Sequence, residues 1–144
     1  MEKRFPRDFE SLPSIFDYIA EFMALNKINN SATYALQFIV EELFTNLVKY
    51  SRGGQEEILV MLSKQGDAVR MQLTDFDVDE FDPTTLPDVN IQEPAQTRKV
   101  GGLGVHLVRK MVDTMTYEYS NRVGTITITK NLGPEDVQRI DRKQ

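Results

Sequence analysis

The chain has 144 residues, 40% of them hydrophobic and 27% charged, with a net charge of −5 at neutral pH. That length suits about one domain, and the composition is that of an ordinary soluble protein with no run of the ~20 apolar residues that a membrane span needs. The negative balance disfavours nucleic acid and attracts basic protein surfaces, and with no cysteine and only His106 the chain lacks the means for disulfides, thiolate metal sites or a zinc centre.

The N-terminus, Met1 to Pro6, has basic residues with no apolar core after them, so it is not a secretory signal and the expected location is cytoplasmic. Leu12, Ile15, Phe16, Ile19, Phe22 and Met23 recur at helical spacing, and Ser11 and Pro13 suit the first turn of that helix. Asn29, Asn30 and Ser31 offer N-caps for a second helix from about residue 32 to Tyr50, with Leu36, Ile39, Val40, Leu43 and Leu47 as its apolar stripe and Gly53-Gly54 to end it.

The period then drops to two. Ile58, Val60 and Leu62 alternate with their neighbours, Gln65-Gly66-Asp67 makes a turn, and Val69, Met71 and Leu73 alternate again, which predicts an antiparallel hairpin. After Asp75 and to about Lys99 runs a polar stretch bearing Pro83, Pro87 and Pro94, of the length that marks a functional lid or a disordered segment. A third helix is expected from Leu103 to Met115, then a second hairpin, Met115 to Ser120 and Thr125 to Lys130, around Asn121–Gly124. The charged end from about residue 134 reads as a frayed helix or tail. Hairpins with helices on one face predict a two-layer α+β sandwich in a single domain, residues 1–144, with a mainly antiparallel sheet.

Three stretches carry chemistry. Gly101-Gly102-Leu103-Gly104 stands directly before a helix, where unpaired N–H groups and the positive dipole end favour phosphate, although a tight turn would need the same glycines. On the second helix Glu42 and Asn46 are four apart and share a face that Lys49 extends. A carboxamide oxygen suits Mg²⁺, a carboxylate can orient or deprotonate a nucleophile, and lysine neutralises phosphate; a solvated helix face would look similar. The third stretch, Asp75-Phe76-Asp77-Val78-Asp79, follows a strand. Asp75, Asp77 and Asp79 fit the first positions of a calcium loop, but Glu80 replaces its glycine and Leu86 its closing glutamate. A strand-end aspartate can instead accept from an exocyclic amine such as adenine's. His106 and the methionines Met61, Met71, Met111 and Met115 read as packing residues.

Taken in order, these stretches resemble the Bergerat-type, histidine-kinase-like ATP-binding fold, and more narrowly the small bacterial anti-sigma-factor serine kinases, over about Ser31 to Lys130. The resemblance makes Glu42 the catalytic base, Asn46 the Mg²⁺ ligand, Lys49 a phosphate contact, Asp75 the adenine-binding carboxylate, Gly101, Gly102 and Gly104 the phosphate-side glycine box, and Thr125 a hydroxyl near the adenine. It implies a cytoplasmic homodimer that uses ATP and Mg²⁺, sequesters a sigma factor or similar regulator, and phosphorylates a small antagonist protein in a partner-switching pathway. Two positions depart from the pattern: Asp77 stands where glycine is usual, and Tyr50 where histidine is common. Asp77, Asp79 and Glu80 would weaken nucleotide binding unless Mg²⁺, Arg98 or Lys99 compensates, so the alternative is a non-catalytic, partner-sequestering module with a degenerate pocket.

Overall fold

The computed structural model describes residues 1–83 and 102–137. In chain order these form β1 (Glu2–Phe5), a 3₁₀ turn (Phe9–Ser11), α1 (Leu12–Leu25), α2 (Asn30–Tyr50), β2 (Ile58–Gln65), β3 (Ala68–Phe76), α3 (Gly102–Met111), β4 (Thr114–Ser120), β5 (Val123–Asn131) and a closing 3₁₀ turn (Pro134–Asp136). The five strands make one antiparallel sheet in the order β1-β2-β3-β5-β4. This is the expected α+β sandwich.

Register explains the core. Val60 opposes Leu73, Leu62 opposes Met71, and Leu73 and Met71 in turn oppose Ile126 and Ile128. Strand side chains alternate between faces, so these residues share one face, onto which α1 and α2 press Ile15, Ile19, Met23, Leu36, Ile39, Leu43 and Phe44. Tyr18 on α1 reaches across this layer and donates to the Val60 carbonyl at 3.2 Å. Burial, reinforced by Glu2 and Glu21, pushes its phenol up to about 12. Tyr18→Phe is expected to cost about 1 kcal/mol, read by thermal unfolding at neutral pH. Because the folded phenol titrates above its unfolded value of 10.0, the wild type should also lose stability between about pH 10 and 12, and the variant should lose less.

Four local details differ from the sequence reading. β1 was not legible: only Phe5 of its four residues is buried, so no alternation marks it. The Asn29 side chain does not cap α2 but donates to the Glu135 carbonyl at 2.6 Å, tying the closing turn to the helix start. α3 stops at Met111 rather than Met115, because the Asp113 N–H is taken by the Thr129 carbonyl at 2.8 Å and its carboxylate accepts from the Asn131 N–H at 2.6 Å. The chain is thereby passed to β4 at Thr114. The second hairpin turns on Asn121 and Arg122, at φ 52° and 63°, the two left-handed positions of a tight primed turn, and β5 begins at Val123.

Candidate functional site

The site is built where the C-terminal half of α2 passes the end of β3 and the first turn of α3. The apolar stripe of α2 is fully buried, which sets the rotation of the helix and carries the neighbouring stripe, Glu42 and Asn46, into the layer rather than out to solvent. Asn46 is 1% exposed, and its Nδ2 finds no acceptor among the described residues. A buried amide left unpaired costs free energy, so this group fits a ligand that brings an acceptor.

Glu42 lies one turn earlier, half-buried against α3. Any Cβ at position 104 would overlap the Glu42 carboxylate, so Gly104 is what lets the helix start approach this side chain. Burial, helped by Glu41 and opposed by Lys49, raises the Glu42 carboxyl above its ordinary range, as suits a base working nearer neutrality. Lys49 is exposed, with its ammonium 5.9 Å from the centre of the Phe9 ring. Gly102 opens α3, while Gly101 and the expected lid, with Arg98 and Lys99, fall outside the described residues.

Asp75 closes the other end of the site. It is 2% exposed and stands opposite Gly124 on β5. Oδ2 accepts from the Ser51 hydroxyl at 2.7 Å, and Oδ1 is ion-paired with the Arg7 guanidinium. A narrow cleft in front of it is lined by Leu47, Ser51, Val78, Phe81, Tyr117 and Ile126. The Phe81 N–H donates to the Tyr117 hydroxyl at 3.2 Å, and Tyr50 packs on Phe81 with ring centres 6.0 Å apart. Thr125 requires a correction. Its register partner is Thr74, so its side chain lies on the sheet face opposite Asp75, and the cleft wall here is Gly124.

Asp77, the departure from glycine, occupies φ 53°. That left-handed backbone is what glycine adopts freely and aspartate tolerates. Its carboxylate does not stand unpaired. Arg122 donates from Nε to Asp77 and from Nη1 to Asp79, both at 2.9 Å, which raises the guanidinium's own pKa. The compensating cation therefore comes from the β4–β5 turn. Sequence reasoning missed Arg7, Ser51 and Arg122. No periodicity or motif marks them, and the one available signal was a run of acids in want of a cation. His106 is a half-buried α3 residue.

Comparison with known proteins bears on the family and the fold. Residues 5–130 match the family model described as a histidine kinase-like ATPase domain. The chain is 28% identical, over 72% of its length and 68% of theirs, to the serine-protein kinase RsbW of Listeria monocytogenes and to that of Listeria innocua. Among solved structures, the RsbU and RsbW domains of a Mycobacterium tuberculosis protein align over 96% of this chain, at a TM-score of 0.65 and 14% identity. This chain covers only 34% of that larger chain. The Acinetobacter baumannii histidine kinase AdeS aligns over 92% of this chain and 68% of its own, at a TM-score of 0.53 and 11% identity. These last two likenesses concern the fold alone. The chain belongs to the histidine kinase-like ATPase domain family.

Proposed function

We propose that the protein is an ATP-binding anti-sigma regulatory factor of the serine/threonine kinase type. On this reading it phosphorylates a small antagonist protein and sequesters a sigma factor or similar regulator, as a cytoplasmic homodimer. The observation that carries the proposal is the packing of Glu42 against Gly104 at the start of α3, one turn from the Asn46 amide, buried and unpartnered among the described residues, on a helix whose C-terminal end lines the cleft in front of the buried Asp75 carboxylate. The similarity to the RsbW serine-protein kinases supports the same reading.

The chain's own groups divide the work. Asp75 accepts from the exocyclic amine of adenine, and Leu47, Phe81 and Ile126 exclude water from the base. Asn46 fits Mg²⁺ and phosphate together, since its carboxamide has an oxygen for a hard cation and a buried N–H that lacks an acceptor. Bound Mg²⁺ would neutralise charge on the phosphate oxygens. Glu42, beside the α3 start, receives the proton from the substrate hydroxyl. Lys49, Gly101, Gly102 and Gly104 complete the phosphate end as the family resemblance implies.

Calorimetry with Mg-ATP tests the pocket. Asn46→Ala is expected to weaken binding by about a hundredfold or more, the scale of a lost charge-assisted contact set, and unchanged binding would remove Asn46 from the site. The alternative, a degenerate binding module, rests on Asp77 in place of glycine and on the acidic loop that it opens. Since Asp77 is exposed and paired with Arg122, a cation that it shares with Asp79, Asp77→Gly should change ATP affinity by less than about threefold, the scale of a screened surface charge. A tenfold gain would favour the degenerate module.

A further inference from the structure

Arg7 belongs to none of the motifs, yet it is the cation beneath the cleft. The turn after β1 aims it inward: the Pro6 carbonyl accepts from the Asp8 N–H at 2.8 Å and from the Ser11 hydroxyl at 2.7 Å, and Asp8 in turn accepts from the Glu10 N–H at 2.9 Å. From there Nη2 meets Asp75 Oδ1, and Nη1 donates to the Leu47 carbonyl in the last turns of α2 at 3.3 Å. The two side chains are 12% and 2% exposed. Gly54 is the third wall of this seat, since a Cβ there would overlap the guanidinium. Arg7 is not among the residues lining the cleft, so it holds Asp75 from behind.

A carboxylate this deeply buried needs a cation or a proton. A proton would turn one oxygen into a donor, the wrong polarity for an exocyclic amine. Arg7 supplies the cation instead. With Arg7 on one oxygen and Ser51 on the other, the carboxylate cannot rotate, and each oxygen keeps a lone pair for the cleft. We propose that Arg7 is the positioning residue for the base-reading carboxylate of Asp75, holding it as an oriented acceptor while Gly54 keeps the space that the guanidinium needs. This rests on the reading of the cleft as an adenine site.

Among the described residues, the charged and titratable groups facing Asp75 are few. Arg7 comes from the N-terminal segment, and Asp79, already bound to Arg122, from the loop after β3. Tyr117 on β4 is kept neutral by burial. The end of α2 presents the Ser51 hydroxyl, and β5 presents Gly124. Without Arg7, only the Ser51 hydroxyl in this set favours the charged form of Asp75.

The test is calorimetry on the full chain with Mg-ATP and with the Mg complex of purine riboside triphosphate, which lacks the exocyclic amine. It is run between about pH 5.5 and 8, across the range a buried carboxylate can reach. Wild type should prefer ATP by about tenfold or more throughout, the scale set by one charge-assisted hydrogen bond. Arg7→Gln should lose most of that preference, and lose it most at the acidic end, while Arg7→Lys should keep part of it. Gly54→Ala crowds the guanidinium without removing its charge and should reduce the preference in the same direction, which keeps the test decisive if Arg7→Gln does not fold. Wild-type discrimination in folded Arg7→Gln or Gly54→Ala would overturn the role of Arg7. A wild type that binds both triphosphates equally, or neither, would instead overturn the adenine reading of the cleft.

Discussion

Glu42→Ala is expected to lower phosphoryl transfer to a serine-bearing acceptor by about 10²- to 10⁴-fold, the range for loss of a positioned general base, while Mg-ATP affinity stays within a few-fold. The split follows from where Glu42 sits. Its carboxylate rests against Gly104 at the start of α3, away from the Asp75 end of the cleft that would hold the base. Single-turnover transfer and calorimetry on one preparation would read both quantities, and full retained transfer would strip Glu42 of its role. The pH dependence has a definite sign. Burial raises the Glu42 carboxyl, and a base must be unprotonated, so transfer should fall as pH drops through a midpoint above the ordinary carboxylate range. A midpoint at or below that range would mean that another group limits the rate.

Asp75→Ala should do two separable kinds of damage. It removes one partner of a buried ion pair and leaves the Arg7 guanidinium, 12% exposed, with its charge uncompensated and only the Leu47 carbonyl as acceptor among the described residues. Breaking such a pair from one side costs about 3–5 kcal/mol, because the remaining charge is uncompensated. For a domain of this size that is on the order of 10 °C in thermal midpoint. Adding Arg7→Met to Asp75→Ala removes the stranded charge and should restore much of the stability. It should not restore ATP binding, since the acceptor for the adenine amine is still missing. A single variant as stable as wild type would contradict the burial of the pair. A double variant that bound ATP normally would contradict the role of Asp75.

These two residues also show what could be read from the chain without its fold. The four-residue spacing of Glu42 and Asn46 beside an unbroken Leu/Ile stripe is a helical property, legible because the period of an α-helix is fixed and the stripe declares which face is inward. The two hairpins were legible for the same reason, as alternation around Gly66-Asp67 and around Asn121-Arg122, and so was the α+β class. β1 was not, because an edge strand with one buried residue has no pattern to detect. The end of α3 lies earlier than local propensity favours, because the Asp113 N–H donates to Thr129 and its carboxylate accepts from the Asn131 N–H.

The sequence by itself thus determined the helices that carry the candidate catalytic groups, the two hairpins and the single-layer sheet with helices on one face. Only the tertiary structure decided which charges meet. Arg7 reaches Asp75 across 68 positions, and Arg122 reaches Asp77 across 45. It also decided that Gly124, not Thr125, lines the cleft, since strand register sets which face a residue occupies. Periodicity is a property of neighbouring residues and survives in the linear text. Ion pairing and register are properties of segments that folding brings together, and the physical need for them, a buried carboxylate wanting a cation, does not name the residue that answers it.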